Sequence, residues 1–371
     1  MGAVLVATAL ITPGSIAGAA GPGQSASSYR SVLSETMVGG ITPEEYAARM
    51  ATLHAWLVQE MPAGVLNVPI RVSLTGPERI DLKARQEARG GPAVVGRTKP
   101  ISEVVRFTGM DAALLSDAPR ASGHGLLRGT PDGGFVWAAA IVSEGAGAIR
   151  VHIKGLSLSD DADLFFFNEG GQAFGPYSRR GPNGDGEFWS NTVMGSRGVV
   201  LLRHYGPNGA VDLKGISFAI EGVGHIEPNF ASSLGGGVTP ESFCSFNVSC
   251  IENASCFSGT PAEPAKSAVA LMQWIAGAFI YTCTGGLVAD SDSGSQIPYF
   301  LTANHCISRA KDASNLEAYF QFSISCGSTQ CPAQTNPGGI QRLGATIQAT
   351  GMGRDFTHIR NVVDANILAA T

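Results

Sequence analysis

Cys283-Thr284-Gly285-Gly286-Leu287-Val288 and, beyond a polar loop, Tyr299-Phe300-Leu301-Thr302-Ala303-Asn304-His305-Cys306 make up the stretch on which the fold turns. Two apolar segments joined by a loop rich in Ser, Asp and Gly read as a β-hairpin. Cys283 and Cys306 stand at its two base ends, where neighbouring strands bring Cα atoms to about the 5.5 Å that a disulfide spans. His305 is thereby held beside a covalent staple. Fixation of that kind suits a general base, because a misplacement of about 1 Å costs about 100-fold in rate.

The protein has seven cysteines, Cys244, Cys250, Cys256, Cys283, Cys306, Cys326 and Cys331, and none precedes residue 244. Such clustering predicts a disulfide framework in one oxidised, exported domain. Seven is odd, so at least one partner lies outside the chain or one thiol stays free. The N-terminus agrees with export. Ala3 to Thr12 is an apolar run too short for a bilayer, which needs about 20 residues, and Ala17-Gly18-Ala19 is a small-x-small site of the kind signal peptidase cuts. Residues 1–20 read as a signal peptide, although no Lys or Arg precedes the apolar run. We expect a secreted, extracellular protein with no membrane contact after signal cleavage.

Over 371 residues, a length that suggests two domains, the composition includes 48 glycines and 20 prolines, with charged residues at 15%. An average soluble domain carries about 25% charge, so a coiled coil, a long-helix bundle and a charge-rich disordered chain are excluded. The net charge of -5 and the lack of Lys/Arg runs argue against nucleic acid as a partner. Thr42-Pro43-Glu44-Glu45 is a helix start: the Thr hydroxyl caps a free N–H, Pro is preset at the first helical position and the acids suit the positive dipole end. Tyr46, Met50, Leu53 and Leu57 then share one face, which predicts a helix near 43–60 in an N-terminal pro-region over 21–100, with short strands and linker after the helix.

From 101 to 230 the apolar period changes to two. Phe135-Val136-Trp137, Ile149 to Ile153, Leu164 to Phe167, Val199 to Leu202 and Ile216 to Ile220 read as strands, separated by turn clusters such as Pro131-Asp132-Gly133-Gly134. Strands at this spacing without helices between them predict an antiparallel β-sandwich. Asp160, Asp161 and Asp163 lack the Gly and distal Glu of a calcium loop and read as solvated acids. A Ser- and Gly-rich linker over 231–240 then leads into the cysteine-bearing domain, 241–371. The fold class expected is mostly β: an N-terminal helix plus antiparallel β-sandwich, then the cysteine-bearing domain.

Cys283 to Val288 followed by Phe300 to Cys306 resembles the catalytic-histidine region of the trypsin-like serine endopeptidases. Phe243-Cys244 to Cys250, Pro298 to Thr302 and Gly353-Arg354-Asp355-Phe356-Thr357 are similar, more narrowly, to bacterial lysyl endopeptidase, over about residues 240–364. The resemblance implies that 241–371 is the first β-barrel of a trypsin-like protease domain. It implies peptide-bond hydrolysis through an acyl-enzyme, with His305 as general base and Asp355 as the carboxylate that orients its imidazole and stabilises the imidazolium. It also implies a bridge from Cys250 to Cys326 and a partner for Cys244 in a second barrel. Cys256 with Cys331 is the pair left over, and Cys244 stays a free thiol here. Asn304 stands where the family has a small or other polar residue. His358 faces away from Asp355 and Thr357 along the strand and is not a second base.

The nucleophile is missing. Neither Gly-Asp-Ser-Gly nor Gly-x-Ser-x-Gly occurs. Asp292-Ser293-Gly294-Ser295 sits at the hairpin tip, so Ser293 should lie about 20 Å or more from the imidazole at about 3.3 Å per strand residue. We expect a chain cut short before the catalytic serine and inactive alone. There is no His-Glu-x-x-His, and Cys326-x4-Cys331 in an exported setting favours a bridge over zinc, so no metal and no organic cofactor are expected. Partners are protein or peptide substrates, and the protein is expected to be a monomer. A reading of another class is a non-catalytic secreted β-sandwich binding protein with a relic protease half-domain.

Overall fold

The computed structural model describes residues 42–88, 91–112, 115–206, 213–228, 254–261, 263–288, 297–322, 326, 340–352 and 356–361. Helix α1 (Pro43–Glu60) begins as its sequence dictates. Thr42 Oγ1 accepts from the Glu45 N–H at 3.2 Å, and Glu45 accepts from the Thr42 N–H at 2.9 Å. A second helix, α2 (Gly76–Glu87), occupies part of the span expected to hold short strands and linker. Its start repeats the same code: Thr75 and Glu78 cap each other around Pro77. Among the described residues, no helix is long and apolar enough to cross a membrane.

The strands that follow are, in chain order, β1 (Ile70–Val72), β2 (Ala93–Thr108), β3 (Arg120–Ser122), β4 (Gly125–Gly129), β5 (Phe135–Ser143), β6 (Ala148–Ser157), β7 (Ala162–Phe167), β8 (Ala173–Ser178), β9 (Phe188–Trp189), β10 (Val193–Met194), β11 (Arg197–His204) and β12 (Ser217–Ile226). One sheet runs β3-β4-β5-β11-β7-β8, with β1 added in parallel to β5; a second contains β10-β6-β12-β2. Their facing side chains, among them Phe107, Phe135, Trp137, Ile149, Val151, Phe166 and Phe218, form the main core. The first sheet is covered on its other face by α1, whose Leu53, Trp56 and Leu57 pack with Val136, Phe165 and Leu201. β5 and β7 are therefore buried along their whole length, which is why Phe135–Ser143 reads as a nearly unbroken apolar run. β2 crosses residue 100, so the boundary drawn there between a linker-like segment and the sandwich falls inside one strand.

The cysteine-bearing part contributes β13 (Val269–Ala276), β14 (Phe279–Val288), β15 (Tyr299–Thr302), α3 (Ala310–Ser314), β16 (Glu317–Phe320), β17 (Ile340–Leu343), β18 (Ala345–Gly351) and β19 (Phe356–Asn361). Every pairing here is antiparallel: β13 with β14 and β16, β14 with β15, β15 with β19, β19 with β18, and β16 with β17. Only Gly344 separates β17 from β18, and its φ of +82°, open to glycine at no steric cost, lets the chain bend between them. The pairings thus curl the sheet into a half-barrel around Phe300, Phe320, Met272 and Ile340. The barrel does not stand apart from the sandwich. β2 pairs with the first half of β14, from Phe279 opposite Arg97 to Thr282 opposite Ala93, so one sheet runs through both.

Asp132, in the turn between β4 and β5, is held by the Thr130 hydroxyl, the Arg203 guanidinium and the Gly206 N–H. Burial opposes its ionisation, but these groups together lower its pKa to about 2. A carboxyl depressed below its unfolded value of about 3.9 contributes stability that is present above that value and lost as pH falls through about 2. Urea unfolding between pH 6 and pH 2 should therefore find Asp132→Asn less stable than wild type at pH 6, with the gap closing toward pH 2. A gap that stays constant would contradict this account.

Candidate active site

His305 lies on a single helical turn directly after β15. The N–H groups of Cys306 and Ile307 both donate to the carbonyl of Ala303, at 3.1 and 3.2 Å, which turns the chain at the strand end. Three further ties hold the turn. Cys306 is bonded to Cys283 on β14, with Cα atoms 6.3 Å apart, and the His305 ring and the two sulfurs lie within 4.8 Å of one another. The Thr302 hydroxyl donates to the Thr284 carbonyl at 2.9 Å. Thr357, fully buried on β19, donates to the Ile307 carbonyl at 2.6 Å and meets the Thr350 hydroxyl at 2.7 Å; that hydroxyl accepts from Asn304 Nδ2 at 2.6 Å. The residues before and after His305 are thus fastened to β18 and β19, while His305 itself is exposed.

The glycine pair of the motif splits in purpose. A Cβ on Gly285 would lie 2.1 Å from the Phe300 ring, which is fully buried in the barrel; a Cβ on Gly286 would meet nothing closer than 3.7 Å. Gly285 is therefore the space that Phe300 fills.

Of the residues singled out from sequence, His305 is placed as described and Cys283 and Cys306 are joined. Asp355, Cys244, Cys250, Cys331 and Ser293 lie outside the described residues. β19 begins one residue after Asp355, and its Thr357 pairs with Thr302, three residues before His305. The expected bridges Cys250 to Cys326 and Cys256 to Cys331 are both overturned by a bond between Cys256 and Cys326, with Cα atoms 4.7 Å apart. The turn Ala254–Phe257, ahead of β13, meets the chain beyond β16, and one sulfur cannot serve two bridges. Because Cys283 and Cys306 are bonded, they and His305 offer no thiolates to a metal. Asp160 pairs with Arg179 at the surface, whereas Asp163 is buried and accepts from the Ser178 hydroxyl.

Residues 242–365 match the family model of the lysyl endopeptidase C-terminal domain. No curated protein matches the chain. The matched stretch contains His305, both bridges and the Asp355 position, so this part of the chain is lysyl-endopeptidase-related. Asn304 and Thr357 stand in the quoted motifs without their bonding roles being legible there, and Thr350 stands in none of them.

Two measurements follow from this geometry. Gly285→Ala should lower stability by about 1–3 kcal/mol through overpacking against Phe300, with Gly286→Ala close to neutral in the same urea titration; equal effects would refute the packing account. Non-reducing peptide mapping should recover Cys256 joined to Cys326 and Cys283 joined to Cys306, and a peptide joining Cys256 to Cys331 would contradict the structure.

Proposed function

We propose that the chain belongs to the precursor of a secreted serine endopeptidase. One observation carries the reading: the lysyl-endopeptidase-related segment includes an exposed histidine whose neighbours are tied by a disulfide and by a hydroxyl chain to two other strands. An imidazole so fixed can take a proton from a hydroxyl nucleophile and return it to the leaving amine. Asp355 is the proposed partner that sets its tautomer. The sandwich supports this site by completing the sheet to which β14 belongs.

No serine of the 371 residues lies in a Gly-x-Ser-Gly setting. That favours a second reading, a binding protein built on the sandwich whose barrel is a relic. The coding sequence beyond Thr371 separates them: an in-frame Gly-x-Ser-Gly with one further Cys supports the peptidase, and a stop codon supports the binding protein. For the 371-residue protein itself, we expect no hydrolysis of lysyl peptide amides, since none of its serines lies in the Gly-x-Ser-Gly setting of an activated nucleophile. Amidase activity that disappears in His305→Ala would sink this expectation.

A further inference from the structure

We propose that residues 43–228 are a lasting non-covalent partner of the barrel, so that cutting the segment between Pro228 and Ala254 yields a two-chain protein whose pieces do not part. The contact between the two is built like an interior. Arg150 of β6 and Glu317 of β16 are both 0% exposed, with Arg150 Nε 3.8 Å from Glu317 Oε2. Glu317 also accepts from Asn191 Nδ2 at 2.9 Å, from the Thr192 N–H at 3.0 Å and from the Thr192 hydroxyl at 2.6 Å. All of these donors belong to the sandwich.

Apolar contact runs beside this pair. Val95, Ala148 and Ile226 of the sandwich cluster with Leu271, Ile275, Ile280 and Tyr319 of the barrel. Leu74 and Leu82 pack on Phe279, over whose ring Arg85 and Arg97 stand at 5.3 and 5.2 Å. β2 supplies the backbone partners for the start of β14. Separation would open a sheet edge, wet the apolar cluster and strip Glu317 of its sandwich-side donors in a single step. Interfaces meant to part are more polar than this.

The proposal goes beyond the peptidase reading and stands whichever reading of the barrel holds. The cysteines also make it testable. All seven lie after residue 243, so no disulfide can join the pieces.

The experiment inserts a site-specific protease sequence between Gly235 and Gly236 of the 371-residue protein, folds it, cuts it and passes it over a sizing column without denaturant. Both fragments should co-elute at the volume of the uncut protein, at nanomolar concentration. In the cut protein, Glu317→Gln should weaken the association by about 100-fold or more, as loss of one member of a buried pair does. Asn183→Ala, which removes one donor to the Ser314 carbonyl at the periphery, should weaken it a few-fold and serves if Glu317→Gln does not fold. Separate elution of the wild-type fragments overturns the proposal. So does co-elution that neither substitution weakens.

Discussion

A carboxylate sealed from water must find its donors inside the protein, and Glu317 imposes that demand on the whole molecule. Removing one partner of a buried ion pair costs about 3–5 kcal/mol, a large share of the marginal stability of a domain. The donors therefore have to arrive together. Thr192 and Asn191 come from the stretch between β9 and β10, Arg150 from β6, and Gln341 and Tyr319 from the barrel. Burial raises the pKa of Tyr319, which keeps its hydroxyl a donor to Glu317 at 2.8 Å. Burial does the same for Tyr177, whose hydroxyl holds Asn191 Oδ1 at 2.8 Å and so aims the amide nitrogen at Glu317. β16 can be buried only when the sandwich is in place.

From β16 the constraint passes to the candidate site through backbone pairing. β16 fixes β13, β13 fixes β14 along its length, and β14 receives β2 on one edge up to Thr282, the residue before Cys283. Cys283 then hands the edge to the disulfide, and β15 joins from Gly286 onward. The turn bearing His305 hangs from that handover. Its orientation is set by covalent and backbone geometry with few freely rotating bonds between, the condition that favours precise placement of a base.

Local signals were legible and long-range ones were not. The hairpin, its staple, the α1 cap and the five strands quoted from the sandwich could be read because each rests on residues close in sequence. Thr75, Pro77 and Glu78 carry the same capping code as Thr42, Pro43 and Glu45, yet the Gly- and charge-rich setting hid α2. The long β2 was hidden too, because Pro100 and its polar neighbours imitate a linker; they are accepted in a strand that pairs with β12 on one edge from Gly96 to Thr108 and with β14 on the other only from Ala93 to Arg97. Nothing near Cys256 or Cys326 announces their bond, which depends on where the chain before β13 meets the chain after β16. Asn304 looked like a neutral departure from the motif, and its role appears only when Thr350 arrives from β18.

Two histidines show why partner geometry alone does not identify a catalytic centre. Ser143 Oγ lies 2.9 Å from His225 Nδ1, and Glu227 stands 3.6 Å from the opposite ring nitrogen, an alignment of hydroxyl, imidazole and carboxylate that sequence would never suggest. Ser143 and His225 are both 0% exposed. A nucleophile there could not meet a carbonyl, since an extended peptide must bring its reacting carbon to within about 3 Å of the attacking oxygen. The trio ties the end of β5 to β12 across the two sheets of the sandwich. His305 has the reverse balance. It is exposed, and the residues on either side of it are fastened to β14, β18 and β19. Access together with a rigid mount, and not the count of hydrogen-bonded neighbours, is the ground on which His305 is proposed as the residue positioned for chemistry.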